Sequence, residues 1–187
     1  DDPQGLGERL DRYLAIADRH GIATLVVLLD SCWDANPRLG TQAEPIPHRH
    51  NARWAQSPGV AVLRDPARFA ALAGYVHGII DRFRDDRRII GWDLWNEPDN
   101  GYGGEPPITG PNGDLRPAIM PLLAQVFAWA RAVAPSQPLT SPVWAGDYAA
   151  AKRTPFQRLQ IEASDIVSFH RYEGAEGTAY AIAALAD

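Results

Sequence analysis

Residues 89–100, "IIGWDLWNEPDN", constrain the fold of this chain more than any other stretch. The first half is apolar and aromatic, the composition of a buried strand. The second half is polar and carries Pro98, which has no N–H to give to a central ladder. Asn96 and Glu97 therefore stand where a buried strand stops. Regular in/out alternation breaks at such a point, so both side chains can face one pocket. In parallel α/β folds, ligands bind at the carboxyl ends of strands. A glutamate there, walled by Trp92 and Trp95, has the surroundings of a general acid. The plain alternative is a strand-ending turn with a solvated glutamate.

The remainder of the chain alternates around this strand. Leu6, Leu10, Tyr13, Leu14 and Ala17 recur at helical spacing, and His20-Gly21 reads as the stop. Residues 22–30, "IATLVVLLD", are apolar throughout, as expected of a parallel strand covered on both faces. Asp30, Ser31, Cys32 and Trp33 fall at its carboxyl end. Residues 34–64 show no periodicity and hold His48, His50 and Trp54. Loops longer than about 12–15 residues are usually functional or disordered.

Asp65-Pro66 caps a helix whose stripe is Phe69, Leu72, Ala73, Val76, Ile79, Ile80 and Phe83, with His77 structural beside it. Residues 84–88, "RDDRR", make a solvated connection back to the sheet, and residues 89–95 form the next strand. A Gly/Pro-rich loop, residues 101–114, carries Tyr102 and Glu105. A helix begins after Pro117 or Pro121 and ends at Pro135, burying Leu123, Val126, Phe127, Ala130 and Val133. Residues 138–147, "PLTSPVWAGD", are a short strand made irregular by Pro142, with Trp144 near its end. Thr154-Pro155 caps a short helix, and residues 165–172, "DIVSFHRY", form a fourth strand ending in His170 and Tyr172. Residues 178–187 begin a final helix. Alternating helices and strands predict an α/β fold of parallel strands with right-handed crossovers. Every polar or aromatic cluster follows a strand, so the expected architecture is part of a (β/α)8 barrel with its site on the top face.

Two of these strand ends carry a family resemblance. "GWDLWNEP" resembles the acid/base strand of the clan A glycoside hydrolases, retaining (β/α)8-barrel glycosidases that include the family 5 cellulases and mannanases. The resemblance implies that Glu97 is the acid/base and that Asn96 holds the sugar 2-hydroxyl. His170-Arg171-Tyr172 is similar to the His-x-Tyr that ends the family's sixth strand, and it falls in register two strands later. It implies that His170 contacts substrate or the acid/base region and that Tyr172 orients the nucleophilic carboxylate.

The family's third strand often ends in a histidine. Here "DSCW" stands in its place, leaving Asp30 or Trp33 to serve instead. Asp93 is expected to tie the barrel interior together. Trp54, Trp144, His48 and His50 are candidates to line sugar subsites. Six Trp fit a protein that stacks rings on sugars, the alternative being that several are only core.

The match assigns the four strands as three to six of eight. A whole barrel takes about 250 residues. The family's strand-two Arg, strand-seven Glu and strand-eight Trp have no counterparts here. Retaining hydrolysis needs two carboxylates about 5–5.5 Å apart. The nucleophile is therefore expected outside this chain, with Glu173 as the in-chain rival. Residues 1–187 are expected to be a single incomplete catalytic domain, with an oligo- or polysaccharide and the remainder of its own barrel as partners. A second hypothesis is a non-catalytic carbohydrate-binding relic that keeps Trp33, Trp54, Trp95 and Trp144 as a platform.

Other classes find no support in the sequence. A net charge of −5 leaves no electrostatic footprint for nucleic acid. No stretch approaches the length of a membrane span. His48-x-His50 suggests a metal, but no third ligand follows at useful spacing, so neither metal nor cofactor is expected. Cys32 stands alone, so an intrachain disulfide is ruled out and the redox compartment stays open. The opening "DDPQGLGERL" lacks the basic region and apolar run of a signal peptide. A truncated N-terminus is expected, which leaves the localisation open.

Overall fold

The computed structural model describes residues 2–31, 36–41, 44–48, 54–100 and 114–186. Cys32, Trp33, His50, Tyr102 and Glu105 lie outside the described residues. Helix α1 spans Pro3–Arg19. Pro3 presets the first helical φ, and the Asp2 carboxylate accepts the Gly5 N–H at 2.8 Å. The chain leaves the helix at Gly21, whose φ of +68° carries no Cβ penalty. Of the expected apolar stripe, Leu14 and Ala17 are buried and Leu6 and Tyr13 are exposed, so only its inner edge meets the core.

Strands β1 (Thr24–Val27), β2 (Ile89–Asp93) and β3 (Leu139–Thr140) pair in parallel in the order β1-β2-β3. Val27 lies opposite Asp93, and Asp93 opposite Thr140. A sequential order with right-handed crossovers puts the connecting helices on one face of the sheet. Those helices are short α2 (Val60–Leu63), α3 (Phe69–Phe83) and α4 (Arg116–Val133). Their apolar stripes meet Val26, Trp92, Leu94 and Leu139 in one core, built on Val76, Ile80, Leu123, Val126 and Phe127. Helix α5 (Pro155–Ala163) starts with a capping box between Thr154 and Gln157. Helix α6 spans Gly174–Leu185.

The α/β class and the parallel pairing match the reading of the sequence, and several details differ. The first strand was expected over residues 22–30 and is four residues long. Its backbone pairing nevertheless runs on. Leu28 N–H donates to Asp93 O, Asn96 N–H to Leu29 O, and Ser31 N–H to Asn96 O. That strand was also expected to be covered on both faces. Leu25 and Val27 are instead 41% and 45% exposed, alternating with buried Thr24 and Val26. The helices cover one face; on the other, Leu25 and Val27 are exposed while Asp93, opposite Val27, is buried.

The fourth strand is reduced to one bridge, Val143 with Phe169, closed by Val143 N–H to Ser168 O and His170 N–H to Val143 O. Pro142 has no N–H to extend it. The stretch 34–64, expected without regular structure, holds α2 and a bridge from Ser57 to Asp30. Helix α4 starts before both prolines, with Pro117 in its first turn and Pro121 inside. The described residues thus form an open three-stranded sheet rather than a closed barrel.

Candidate active site

The carboxyl end of β2 is held from both sides. On the β1 side, Asp30 bridges to Asn96, and the Trp95 indole N–H donates to Ser31 Oγ at 3.0 Å. On the β3 side, Ser141 Oγ donates to the Trp95 carbonyl at 2.7 Å. The chain then turns sharply, and Glu97 has a φ of +43°. A non-glycine residue there costs about 1–3 kcal/mol and persists only where its surroundings over-determine it. Asn100 N–H closes the turn on Glu97 O at 2.8 Å.

The turn presents the Glu97 carboxylate to three groups. His170 Nδ1 lies 2.5 Å from Oε1. Asn100 Nδ2 donates to Oε2 at 2.7 Å. The Tyr172 hydroxyl donates to Oε1 at 3.5 Å, the outer limit of a hydrogen bond. The Glu97 side chain is 13% exposed, so these contacts form in a partly dry setting. His170 is fixed in turn through its backbone. Its N–H donates to Val143 O, and its carbonyl accepts from the buried Tyr148 hydroxyl at 3.1 Å. The Arg171 guanidinium covers the Tyr148 ring at 4.1 Å.

The electrostatics follow from this packing. The hydrogen bond to Glu97 raises the pKa of His170 above its ordinary value, against the opposing effect of burial. Burial pushes Asp93 up to about 8 and Asp99 up to about 6. Both are almost fully buried, and each has an Oδ1 without a partner among the described residues.

The structure brings together Glu97, Asn96, His170, Tyr172 and Asp30 among the expected site residues. Asn96 Nδ2 donates to Asp30 Oδ1 at 3.1 Å. Ser57, which pairs with Asp30, draws the 54–58 segment to the carboxyl end of the sheet, and Trp54 is 53% exposed there. Trp144 is half-buried after β3, next to the carboxyl-end loop closed by Tyr148. His48 is exposed and His77 is exposed on α3.

Trp92 and Trp95, expected to wall the Glu97 pocket, are both fully buried. Trp92 turns toward the helices, where its indole N–H donates to Gln137 Oε1 at 3.1 Å. Trp95 cannot belong to a sugar platform. Asp93 is buried, and its Oδ1 has no partner among the described residues. Asn100, three residues after Glu97 in the same turn, was missed. The Asp-Asn pair after Pro98 is a turn signal that places it there.

Among the described residues, no group of three or more His, Cys, Asp or Glu is placed to hold a metal ion. No described helix is long and apolar enough to cross a membrane. Comparison with protein-family models, curated proteins and solved structures finds no match to this chain.

Proposed function

We propose that this chain is the acid/base-bearing part of a retaining glycoside hydrolase acting on a β-linked glycan, with its sheet forming part of a (β/α)8 barrel. The observation that carries the reading is the strand-end Glu97 carboxylate with His170 Nδ1 at 2.5 Å and the Tyr172 hydroxyl at 3.5 Å. These are the residues that the two sequence motifs single out, and they meet at one sheet end. In this reading Glu97 carries the proton of general acid catalysis, with His170 beside it. Glu97 delivers it to the glycosidic oxygen while a carboxylate on a further strand attacks the anomeric carbon. In the second step Glu97 takes a proton from water, which releases the sugar from that carboxylate. Asn96, beside Glu97, holds the sugar 2-hydroxyl, and the exposed ring of Trp54 offers a stacking surface.

The test is Glu97→Gln in the full-length protein. Unactivated β-glycosides should lose about 10²–10⁴-fold in turnover, the usual share of general acid catalysis. Aryl glycosides with good leaving groups need no protonation and should lose far less in the first step. Added azide should then yield a β-glycosyl azide of retained configuration. Equal loss on both substrate types, with no azide product, would remove Glu97 from the role.

A further inference from the structure

Arg171 stands between the two residues that reach Glu97 Oε1, His170 and Tyr172. In extended backbone, successive side chains point to opposite sides. The Arg171 side chain accordingly leaves the carboxylate behind and runs to the loop after β3. There Nη2 donates to Gly146 O at 2.9 Å, and Nη1 donates to Glu173 Oε1 at 3.0 Å. The guanidinium lies 4.1 Å from the centroid of the Tyr148 ring, and the side chain is 16% exposed. The Tyr148 hydroxyl is 3.0 Å from the carbonyls of Val143 and Trp144 and 3.1 Å from that of His170. Gln157 pins the same loop, since its Nε2 donates to Ala145 O at 2.7 Å and to Asp147 O at 3.3 Å, on either side of Gly146. Ala145 N–H in turn donates to Asp99 Oδ2 at 3.3 Å, and Asp99 lies in the turn that carries Glu97. Residues 143–148 therefore hold both members of the Glu97–His170 pair. They reach the Glu97 turn through Asp99 and the His170 segment through Arg171 and Tyr148.

We propose that Arg171, seated on Tyr148, is the positioning residue that sets the His170 ring and the Tyr172 hydroxyl against Glu97. The planar fork of a guanidinium gives two directed N–H bonds and a face to lay on a ring, and an ammonium gives neither. Gly146 O and Glu173 fix the fork, and Tyr148 supports its face, so the backbone at residue 171 is held at its centre. The neighbouring residues follow from it. His170 Nδ1 sits 2.5 Å from Glu97 Oε1, and a displacement of about 1 Å takes that contact to the outer limit of a hydrogen bond. Arg171 touches neither Glu97 nor substrate and acts through His170 and Tyr172. Its direct charge has the opposite effect on His170. Removing a nearby cation favours the protonated ring and raises the pKa. Losing the Glu97 contact lowers it, because that hydrogen bond is the main cause that holds the His170 pKa up. The inference rests on the glycosidase reading only for its catalytic consequence.

Nuclear magnetic resonance on the isotope-labelled full-length protein tests the proposal without substrate. The His170 ring is followed against pH, and urea midpoints are taken on the same variants. Arg171→Lys keeps the charge and loses the fork. Tyr148→Phe keeps the ring beneath the guanidinium and loses the hydroxyl that reaches His170 O. Both should move the His170 midpoint down toward its ordinary value. Arg171→Met should move it down as well, although loss of the cation alone would move it up. Lower urea midpoints with the His170 titration unmoved would show a merely structural role and overturn the proposal. A midpoint that rises in Arg171→Met and stays put in Arg171→Lys is the mark of charge alone and would overturn it too. If no variant folds, the wild-type guanidinium decides: a held Arg171 gives separate Nη signals, and free rotation would sink the idea. In turnover, Arg171→Lys should lower kcat with little change in KM, as loss of transition-state geometry does. Absence of glycoside turnover in every variant would remove the glycosidase reading and leave the resonance result standing.

Discussion

Glu97 Oε1 and His170 Nδ1 lie 2.5 Å apart although the two residues are 73 positions apart in the chain. The contact spans β3, joining the end of β2 to the segment that bridges Val143. It also sets the direction of the His170 titration, because the hydrogen bond to Glu97 outweighs burial and raises the pKa.

Glu97→Gln should therefore return the His170 midpoint toward the ordinary value of about 6.5. For a histidine with a raised folded-state pKa, the stabilisation is fully present below the unfolded value. It disappears as pH rises through the folded value. Wild type should lose stability across that window, and Glu97→Gln should lose much less. Ring chemical shifts of His170 against pH provide the measurement. A midpoint unmoved by the substitution would mean that the pair is not coupled in solution.

Asp99 gives a second slope of the same sign to read, in a lower pH window. Burial lifts its pKa to about 6, with the Ala145 N–H at 3.3 Å from Oδ2 as a partial offset. The folded state keeps this proton to about pH 6, and the unfolded chain loses it near pH ~3.9. Between those values the native state binds more protons, so stability falls as pH rises, by at most ~1.4 kcal/mol per pH unit. Asp99→Asn has no proton to lose and should flatten that fall. Urea midpoints of the two proteins across the window settle the matter, and parallel curves would count against a buried neutral Asp99.

Residues 89–100 told most of what the structure then displayed at the site. An apolar run closed by a proline pointed to a strand over residues 89–95; β2 ends at Asp93, and Glu97 stands in the turn four residues beyond. His170 was placed by the same logic, although its strand shrinks to one bridge beside Pro142. The fate of the tryptophans was not legible. A buried strand has two faces, and composition does not say which face a ring takes. Trp92 and Trp95 both went to dry positions because Gln137 and Ser31 offered acceptors for their indole N–H groups. The strain at Glu97 was equally hidden, since backbone φ leaves no mark on residue type when a glutamate is kept at a left-handed position.

Gln137 makes that hidden packing testable. Its Oε1 accepts from Trp92, and its Nε2 donates to the carbonyls of Phe83 and Asp86, both at 2.9 Å. One buried amide therefore ties the centre of the sheet to the end of α3. Gln137→Leu keeps the volume and leaves the Trp92 indole N–H without a partner, while the Phe83 and Asp86 carbonyls keep the N–H groups of Asp86 and Ile89. Each buried orphan costs about 1–3 kcal/mol. The expected loss is about 1–3 kcal/mol, seen as a lower urea midpoint with an unchanged slope. A loss within the ~0.5 kcal/mol typical of surface positions would mean that the tie carries no weight.

Residues 1–187 expressed alone should hydrolyse no glycoside, for a chemical reason and a structural one. Retention needs a second carboxylate about 5–5.5 Å from the acid/base. Asp93 and Asp99 are buried. Asp30 accepts from Asn96, and Glu173 is tied to Arg171 at 3.0 Å and to the Tyr172 N–H at 3.1 Å. Each of these is already buried or engaged by a donor. The structural reason is the sheet face away from the helices. Leu25 and Val27 are exposed there, and a parallel sheet is normally covered on both faces. Such a face drives self-association, so the isolated chain should sediment as dimers or larger species, and Val27→Lys should shift it toward monomer. The decisive measurement is the purified monomer on a panel of aryl β-glycosides. Clear turnover by that monomer, lost on Glu173→Ala, would place the nucleophile inside residues 1–187 and overturn the assignment of that role to a further strand.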